Sequence, residues 1–152
     1  ASLERRFAGL PVHFTGYLSG DALATAYASA DVFAFASDTD TFGQVILEAM
    51  ASRLPIVAAR AGGAVDLVAP GATGFLFTPG STAELRSRLA VLVGDASLRS
   101  RLGAEGRRSA ERRSWPQVME ELLAHYRQAA ALAPAPTRIA TTRPTPQAAI
   151  TR

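Results

Sequence analysis

The sequence contains no cysteine, no lysine and no asparagine. Without cysteine, neither a disulfide framework nor a thiolate metal site can form. Without lysine, no pyridoxal phosphate can be held as a Schiff base. No apolar run approaches the roughly 20 residues that a membrane-spanning helix needs. The first residues have no apolar core behind a basic segment. We therefore expect no signal peptide and a cytoplasmic protein.

The composition predicts a globular domain, since 48% of the 152 residues are hydrophobic and 19% are charged. The isoelectric point of 10.2 suggests nucleic acid as a partner. However, three of the 16 arginines lie in the last 20 residues. Residues 1–132 therefore carry 13 arginines against 13 aspartates and glutamates, which is no net charge. We predict no binding to nucleic acid.

Short apolar runs alternate with helical segments over the first half of the chain. The patterns predict strands at 12–16, 32–36, 55–59 and 74–77, and helices at 22–30, 42–53 and 64–68. Strands that are apolar at successive positions are typical of a parallel sheet covered on both faces. Strands that alternate with helices predict βαβ units. The fold class is therefore α/β, with a Rossmann-like parallel sheet flanked by helices.

The character of the sequence changes after residue 80. Helices are predicted at 82–94, 95–113 and 115–131. The last of these has apolar residues at three- and four-residue spacing, an amphipathic stripe made by Trp115, Val118, Met119, Leu122, Leu123 and Tyr126. Residues 133–152 are rich in proline, threonine and alanine and predict a disordered tail. We expect one domain at 1–132 and the tail at 133–152.

Two acids bracket the segment DTDTFGQVILEAMA, which begins as a turn and continues as a helix. Asp40 precedes the predicted helix and Glu48 lies inside it, with seven residues between them. In open parallel sheets, ligands bind beyond the carboxyl ends of the strands, which is where this turn falls. Backbone N–H groups of Thr41, Phe42 and Gly43 at the helix start would suit a phosphate or a sugar hydroxyl.

Each acid has a functional and a structural interpretation. Asp40 can accept hydrogen bonds from sugar hydroxyls, or it can be an N-cap. Glu48 can accept two vicinal hydroxyls, as a ribose presents, or it can be a solvated helix acid. Glu48 lies in an otherwise apolar helix, where an acid needs a partner. This favours a functional role for the pair.

The same residues resemble those of a known family. The segments at 30–33, 38–52, 54–57 and 61–63 resemble the family 4 glycosyltransferases, which are retaining enzymes with the two-domain GT-B fold. The signature of that family is an acid, seven residues and a glutamate. The resemblance continues through residues 74–80 and from Ser114 to Tyr126, and covers roughly residues 8–130.

The resemblance implies a donor-binding set made of Leu18, Thr41, Phe42, Gly43 and Glu48, with Asp40 and Glu48 as catalytic residues. Glu48 would bind the ribose hydroxyls, and Asp40 the transferred sugar near the reacting centre. Backbone groups of residues 41–43 would bind sugar hydroxyls and the diphosphate, and Leu18 would lie against the nucleobase. The implied reaction transfers a hexose, with retention, from a nucleotide sugar such as GDP-mannose or UDP-glucose to a lipid or saccharide acceptor. No cofactor or obligatory metal is implied.

Three residues depart from the family pattern. Asp40 replaces the commoner glutamate, Ala36 replaces a proline, and Arg53 replaces a glycine. Glycine is favoured at the end of a helix because it tolerates positive φ, so we expect Arg53 to cost about 1 kcal/mol of stability. The family's N-terminal acceptor domain and the first strand and helix of its donor domain have no counterpart in the sequence. We therefore expect this chain to be inactive by itself.

Two further interpretations remain open at this stage. The chain can be a nucleotide or nucleotide-sugar binding module without catalysis. The arginines between residues 99 and 113 can form a solvated helix face. They can instead contact anionic membrane at its inner face, since many relatives act on lipid-linked acceptors.

Overall fold

The computed structural model describes residues 3–132. The chain divides into two compact units, residues 1–114 and 115–152. The first unit contains the sheet and the two predicted site acids, Asp40 and Glu48, and the described part of the second unit is a helix. The predicted tail at 133–152 lies outside the described residues.

The first unit alternates short strands with helices. Its helices are α1 (Leu3–Arg6), α2 (Gly20–Ala28), α3 (Gln44–Ala51), α4 (Ala64–Leu67), α5 (Thr82–Gly94) and α6 (Ala96–Glu111). Its strands are β1 (Phe33–Phe35), β2 (Ile56–Ala59) and β3 (Gly74–Phe77). The strands pair in the order β1-β2-β3, and both pairs are parallel. The predicted α/β fold with a parallel sheet flanked by helices is confirmed.

The central strand β2 explains why the sheet is apolar at successive positions. Ile56 and Ala58 belong to one core cluster, together with buried side chains of α3 and α4. Val57 and Ala59 belong to a second cluster, together with buried side chains of α5 and α6. Because neighbouring residues of a strand point to opposite faces, both faces of β2 are covered and all four of its residues are buried.

The predicted strand at 12–16 is wrong. The segment has no regular structure, and the side chains of Val12 and Phe14 remain exposed. A strand needs a hydrogen-bonded neighbour, and within residues 3–132 none pairs with this segment. The other predicted elements form, with ends that shift by one or two residues. The two-residue shifts include both ends of α2 and of α3, which span Gly20–Ala28 and Gln44–Ala51 instead of 22–30 and 42–53.

The end of α3 is a Schellman motif with arginine at its left-handed position. The N–H of Leu54 donates to the carbonyl of Ala49, and the N–H of Arg53 donates to that of Met50, both at 3.0 Å. Arg53 has φ 62°, as expected from the glycine it replaces. Gly103 of α6 lies directly on the carbonyl oxygen of Arg53, where a Cβ would overlap it. The turn therefore fixes both the end of α3 and the approach of α6.

The arginines between residues 99 and 113 have partners within the first unit. Side chains pair with carboxylates in Arg99–Asp31, Arg107–Glu111, Arg108–Glu105 and Arg112–Glu105. Arg101 donates to the carbonyl of Gly71, and Arg113 donates to the carbonyl of Asp66. These contacts agree with a solvated helix face, on which six arginines have local partners that include three carboxylates.

The second unit contains the predicted amphipathic helix, α7 (Trp115–Leu132). The apolar side chains of its stripe are exposed, from 40% at Val118 to 73% at Trp115. No helix between residues 3 and 132 is both long enough and apolar enough to cross a membrane.

The left-handed position of Arg53 predicts that Arg53→Gly stabilises the chain. Glycine removes the steric cost of positive φ, so the free energy of unfolding should rise by about 0.5 to 1 kcal/mol. Urea unfolding followed by circular dichroism measures the change. Ser52→Gly is the matched control, since Ser52 is the adjacent residue with φ −85°. It should be neutral or destabilising, and equal stabilisation by both variants would contradict the explanation.

Candidate functional site

Three loops meet at one edge of the sheet. Residues 36–43 follow β1, residues 60–63 follow β2, and residues 78–81 follow β3. Because the strands are parallel, all three loops leave from carboxyl ends. This is the edge at which open α/β sheets bind their ligands.

Asp40 organises the first of these loops. Its Oδ1 accepts hydrogen bonds from the N–H of Phe42 at 3.1 Å and from the N–H of Gly43. The carboxylate is half-buried, and within residues 3–132 its Oδ2 accepts no hydrogen bond. One oxygen therefore holds the turn, while the other is free for a ligand hydroxyl.

The backbone N–H groups that start α3 without an acceptor, within the described residues, come after the predicted donors Thr41, Phe42 and Gly43 in the sequence. α3 begins at Gln44, because Gly43 has φ 74° and breaks the helical path as N-cap. Two of the predicted donors, the N–H groups of Phe42 and Gly43, are bonded to Asp40. Within the described residues, the N–H groups of Gln44 and Val45 have no acceptor. These two amides form the exposed positive end of the helix.

The turn at Asp40 rests on a pair of glycines that follow β2. The N–H of Gly63 donates to the carbonyl of Asp40 at 3.1 Å. Gly62 has φ 50°, and a Cβ on it would overlap that carbonyl oxygen. A Cβ on Gly63 would lie 2.7 Å from the carbonyl carbon of Phe42. The sequence indicated only a turn here. Two adjacent glycines after a neighbouring parallel strand are the signal that could have shown this close approach.

Glu48 lies in the second turn of α3 and is half-buried. Its Oε2 accepts a hydrogen bond of 3.1 Å from the hydroxyl of Tyr27 on α2. Burial, the hydrogen bond to Glu48 and the negative charge of Glu48 raise the pKa of Tyr27 to about 12. The acid in the apolar helix thus has a partner that sequence analysis missed. Tyr27 is the one aromatic residue in a helix of mostly small residues, which was the available signal.

Leu18 is half-buried and lies just before Ser19, the N-cap of α2. Leu18 therefore lies in the segment that leads into α2, the helix that carries Tyr27. α3 connects the two acids, because the Asp40 carboxylate caps the turn before it and Glu48 lies along it. The predicted contact of Leu18 with a nucleobase stays a prediction.

We predict that Gly62→Ala disrupts the turn at Asp40. The added methyl group meets the Asp40 carbonyl, so the loss of stability should exceed that of a methyl group in open space by about 1 to 3 kcal/mol. Gly71→Ala is the matched control, because Gly71 also has positive φ but nothing within 4 Å of its Cβ position. Urea unfolding of both variants measures the difference. Equal losses would mean that positive φ alone, and not the contact with Asp40, requires glycine.

Known proteins are similar to this chain. The model of the family "Glycosyl transferases group 1" matches residues 4–109. Sulfoquinovosyl transferase SQD2 of Arabidopsis thaliana is 47% identical over 116 residues, which are 74% of this chain and 23% of that protein. A GDP-mannose-dependent alpha-mannosyltransferase of Mycolicibacterium smegmatis is 46% identical over 114 residues, 74% of this chain and 30% of that protein.

A solved structure is similar over a longer part of the chain. Anabaena HepE in complex with UDP and glucose has a TM-score of 0.70 and 30% sequence identity, over 84% of this chain and 34% of that one. This chain thus spans between 23% and 34% of the length of these relatives. The family match includes the turn at Asp40, both glycines and the whole of α3. The chain belongs to the group 1 glycosyltransferases.

Proposed function

We propose that this chain is the donor-binding part of a retaining, family 4 glycosyltransferase that moves a hexose from a nucleotide sugar to a lipid or saccharide acceptor. One observation carries the proposal. Asp40 and Glu48 lie at the start and along the side of a helix whose first two amides, those of Gln44 and Val45, have no acceptor within residues 3–132. A nucleotide sugar needs this combination of anion-binding amides and hydroxyl-binding carboxylates.

The start of α3 would bind the diphosphate. The N–H groups of Gln44 and Val45 need no rearrangement to bind it, and the helix dipole adds to their effect. Negative charge grows on the diphosphate as the sugar departs, so fixed donors there stabilise the transition state more than the ground state. The predicted roles of Phe42 and Gly43 require that Asp40 release their N–H groups when the donor binds. Thr41 presents its N–H from the same turn.

The two acids would divide the remaining contacts. Oδ2 of Asp40 would accept a hydrogen bond from a hydroxyl of the transferred sugar, next to the bond that breaks. Glu48 would accept the two vicinal hydroxyls of the ribose, and Leu18 would contact the base. This division follows the resemblance, and the free oxygen of Asp40 and the fixed carboxylate of Glu48 support it.

The relatives suggest two candidate donors for this chain but do not decide between them. A GDP-mannose-dependent enzyme and a complex with UDP and glucose both align with this chain, so GDP-mannose and UDP-glucose are the first donors to test. We propose no cofactor and no obligatory metal. With 23% to 34% of the relatives' length, the chain would bind its donor but would not transfer the sugar alone.

We locate the reaction in the cytoplasm, at the inner membrane face where the acceptor is a lipid. The arginines between residues 99 and 113 give this location no direct support, because each has a partner within the first unit. Salt-sensitive binding to anionic vesicles would be needed to give these arginines a role at the membrane.

Calorimetric titration of the chain with UDP, GDP and ADP tests the ribose role of Glu48. We expect saturable binding of one nucleotide, weakened at least about tenfold by Glu48→Gln, because a charge-assisted hydrogen bond to the ribose is lost. Glu111→Gln removes an exposed acid of α6 and should leave the affinity unchanged. Equal affinity in all three proteins would contradict the ribose role.

The sugar role of Asp40 has a separate test. Asp40→Asn keeps an oxygen that can hold the turn but loses the charge that binds a sugar hydroxyl. We expect it to weaken binding of the sugar nucleotide by about tenfold while the nucleotide diphosphate binds as before. Asp38→Asn, an exposed acid of the same loop, is the matched control. Equal losses for both ligands would place Asp40 at the nucleotide or in folding.

A further inference from the structure

We infer that Tyr27 is a positioning residue, whose hydroxyl holds the Glu48 carboxylate in the orientation that accepts the two hydroxyls of a nucleotide ribose. The inference rests on the proposed function. It concerns the one side chain that donates a hydrogen bond to either acid of the site within the described residues.

The ring of Tyr27 is held by packing, and its hydroxyl is the group that bonds to Glu48. The ring packs against the first core cluster. Its centroid lies 5.8 Å from that of Phe33 at a tilted angle, and the ring of Phe33 stacks on Phe35 at 6.2 Å. Both aromatic partners belong to β1, the strand that leads into the turn at Asp40. The hydroxyl of Tyr27 is therefore presented from α2 by a ring that packs against the sheet.

Glu48 lacks this rigidity by itself. A glutamate side chain has three rotatable torsions and loses more rotamer freedom on ordering than a tyrosine, which has two. Glu48 is half-buried, so packing restricts its rotamers only in part. The 3.1 Å bond from Tyr27 to Oε2 selects one before a ligand arrives. A carboxylate ordered in advance binds with a smaller entropic cost.

The bond from Tyr27 leaves enough acceptor capacity for a diol. Each carboxylate oxygen offers two lone-pair sites. Tyr27 occupies one site of Oε2, so one site of Oε2 and both sites of Oε1 remain for the ribose. Tyr27 is a donor at neutral pH, as any tyrosine with a pKa of about 10 is. Burial, the hydrogen bond to Glu48 and the charge of Glu48 raise its pKa further, to about 12. The Glu48 carboxylate can therefore accept hydrogen bonds from Tyr27 and from the ribose hydroxyls at the same time.

A purely structural role for the same bond makes a different prediction. The bond also ties α2 to α3, so its loss would lower stability whatever ligand is added. Only the positioning role makes the effect of Tyr27 depend on the ribose hydroxyls. Tyr27→Phe keeps the ring and its packing and removes only the hydroxyl, which makes it the variant of choice.

Affinity for UDP and for 2′,3′-dideoxy-UDP, which lacks both ribose hydroxyls, separates the two roles when measured by calorimetry; GDP and 2′,3′-dideoxy-GDP replace them if GDP binds more tightly. Tyr27→Phe should weaken UDP binding about tenfold and 2′,3′-dideoxy-UDP binding by less than about twofold. Tyr17→Phe removes the hydroxyl of a tyrosine that is 94% exposed and should change neither. Equal losses for the two ligands in Tyr27→Phe, or no loss for either, would overturn the positioning role.

A titration without ligand tests the hydrogen bond itself. The absorbance of the phenolate of Tyr27 is obtained as the difference between the unaltered chain and Tyr27→Phe. Burial would still raise the pKa of Tyr27 in Glu48→Gln, but the hydrogen bond to the carboxylate and its negative charge would not, so the pKa should fall below about 12. An unchanged pKa would show that the bond does not form in solution and would overturn the inference.

The outcomes also separate this inference from the proposed function. If Glu48→Gln leaves nucleotide affinity unchanged, or if the unaltered chain binds no nucleotide, the ribose role of Glu48 is lost and the inference with it. If Glu48→Gln weakens binding but Tyr27→Phe affects both ligands equally, only the positioning role of Tyr27 is lost.

Discussion

The backbone contact between the turn at Asp40 and the glycines at 62 and 63 is the constraint on which the site depends. It joins the loops that follow β1 and β2, two neighbouring parallel strands. The contact is made by main-chain atoms, with the N–H of Gly63 on the carbonyl of Asp40 and no space for a Cβ on Gly62. Main-chain packing of this kind permits little adjustment, so the start of α3 has a fixed place relative to the sheet.

Both ends and one side of α3 are tied down, each by a different interaction. The turn at Asp40 fixes its beginning. The left-handed turn at Arg53, covered by Gly103 of α6, fixes its end. The bond between Tyr27 and Glu48 connects its side to α2. A helix held in this way can present amides and a carboxylate at set distances from each other, which is what a ligand with separate phosphate and hydroxyl groups requires.

Sequence patterns were sufficient for those parts of the fold that follow from local periodicity. Strands were predicted at 32–36, 55–59 and 74–77 because their residues are apolar at successive positions, and the structure has them at 33–35, 56–59 and 74–77. The positive φ of Arg53 was expected from the family resemblance, in which a glycine stands at this position. The failures involve contacts between distant segments. The strand at 12–16 depends on a neighbour that periodicity cannot reveal. The bond between Tyr27 and Glu48 joins residues 21 positions apart, and no local pattern encodes it.

The side chains of the loops at the carboxyl edge of the sheet carry more negative than positive charge. The loops at 36–43, 60–63 and 78–81 contain two acids, Asp38 and Asp40, and a single base, Arg60. Arg60 lies near Glu84, whose pKa is lowered first by hydrogen bonds from Thr78 and then by the charges of Arg88 and Arg60.

A diphosphate at this edge would therefore meet more negative than positive side chains. The side chains of these loops would repel the diphosphate more than they attract it. Among the groups of these loops, stabilisation of the diphosphate would therefore come from main-chain N–H groups, together with the dipole of α3. In the proposed function, the backbone contacts that hold the start of α3 would therefore matter for binding the diphosphate. Amides can replace cations only when their direction toward the phosphate is fixed, and a helix start held between two glycines and the Asp40 carboxylate supplies that direction.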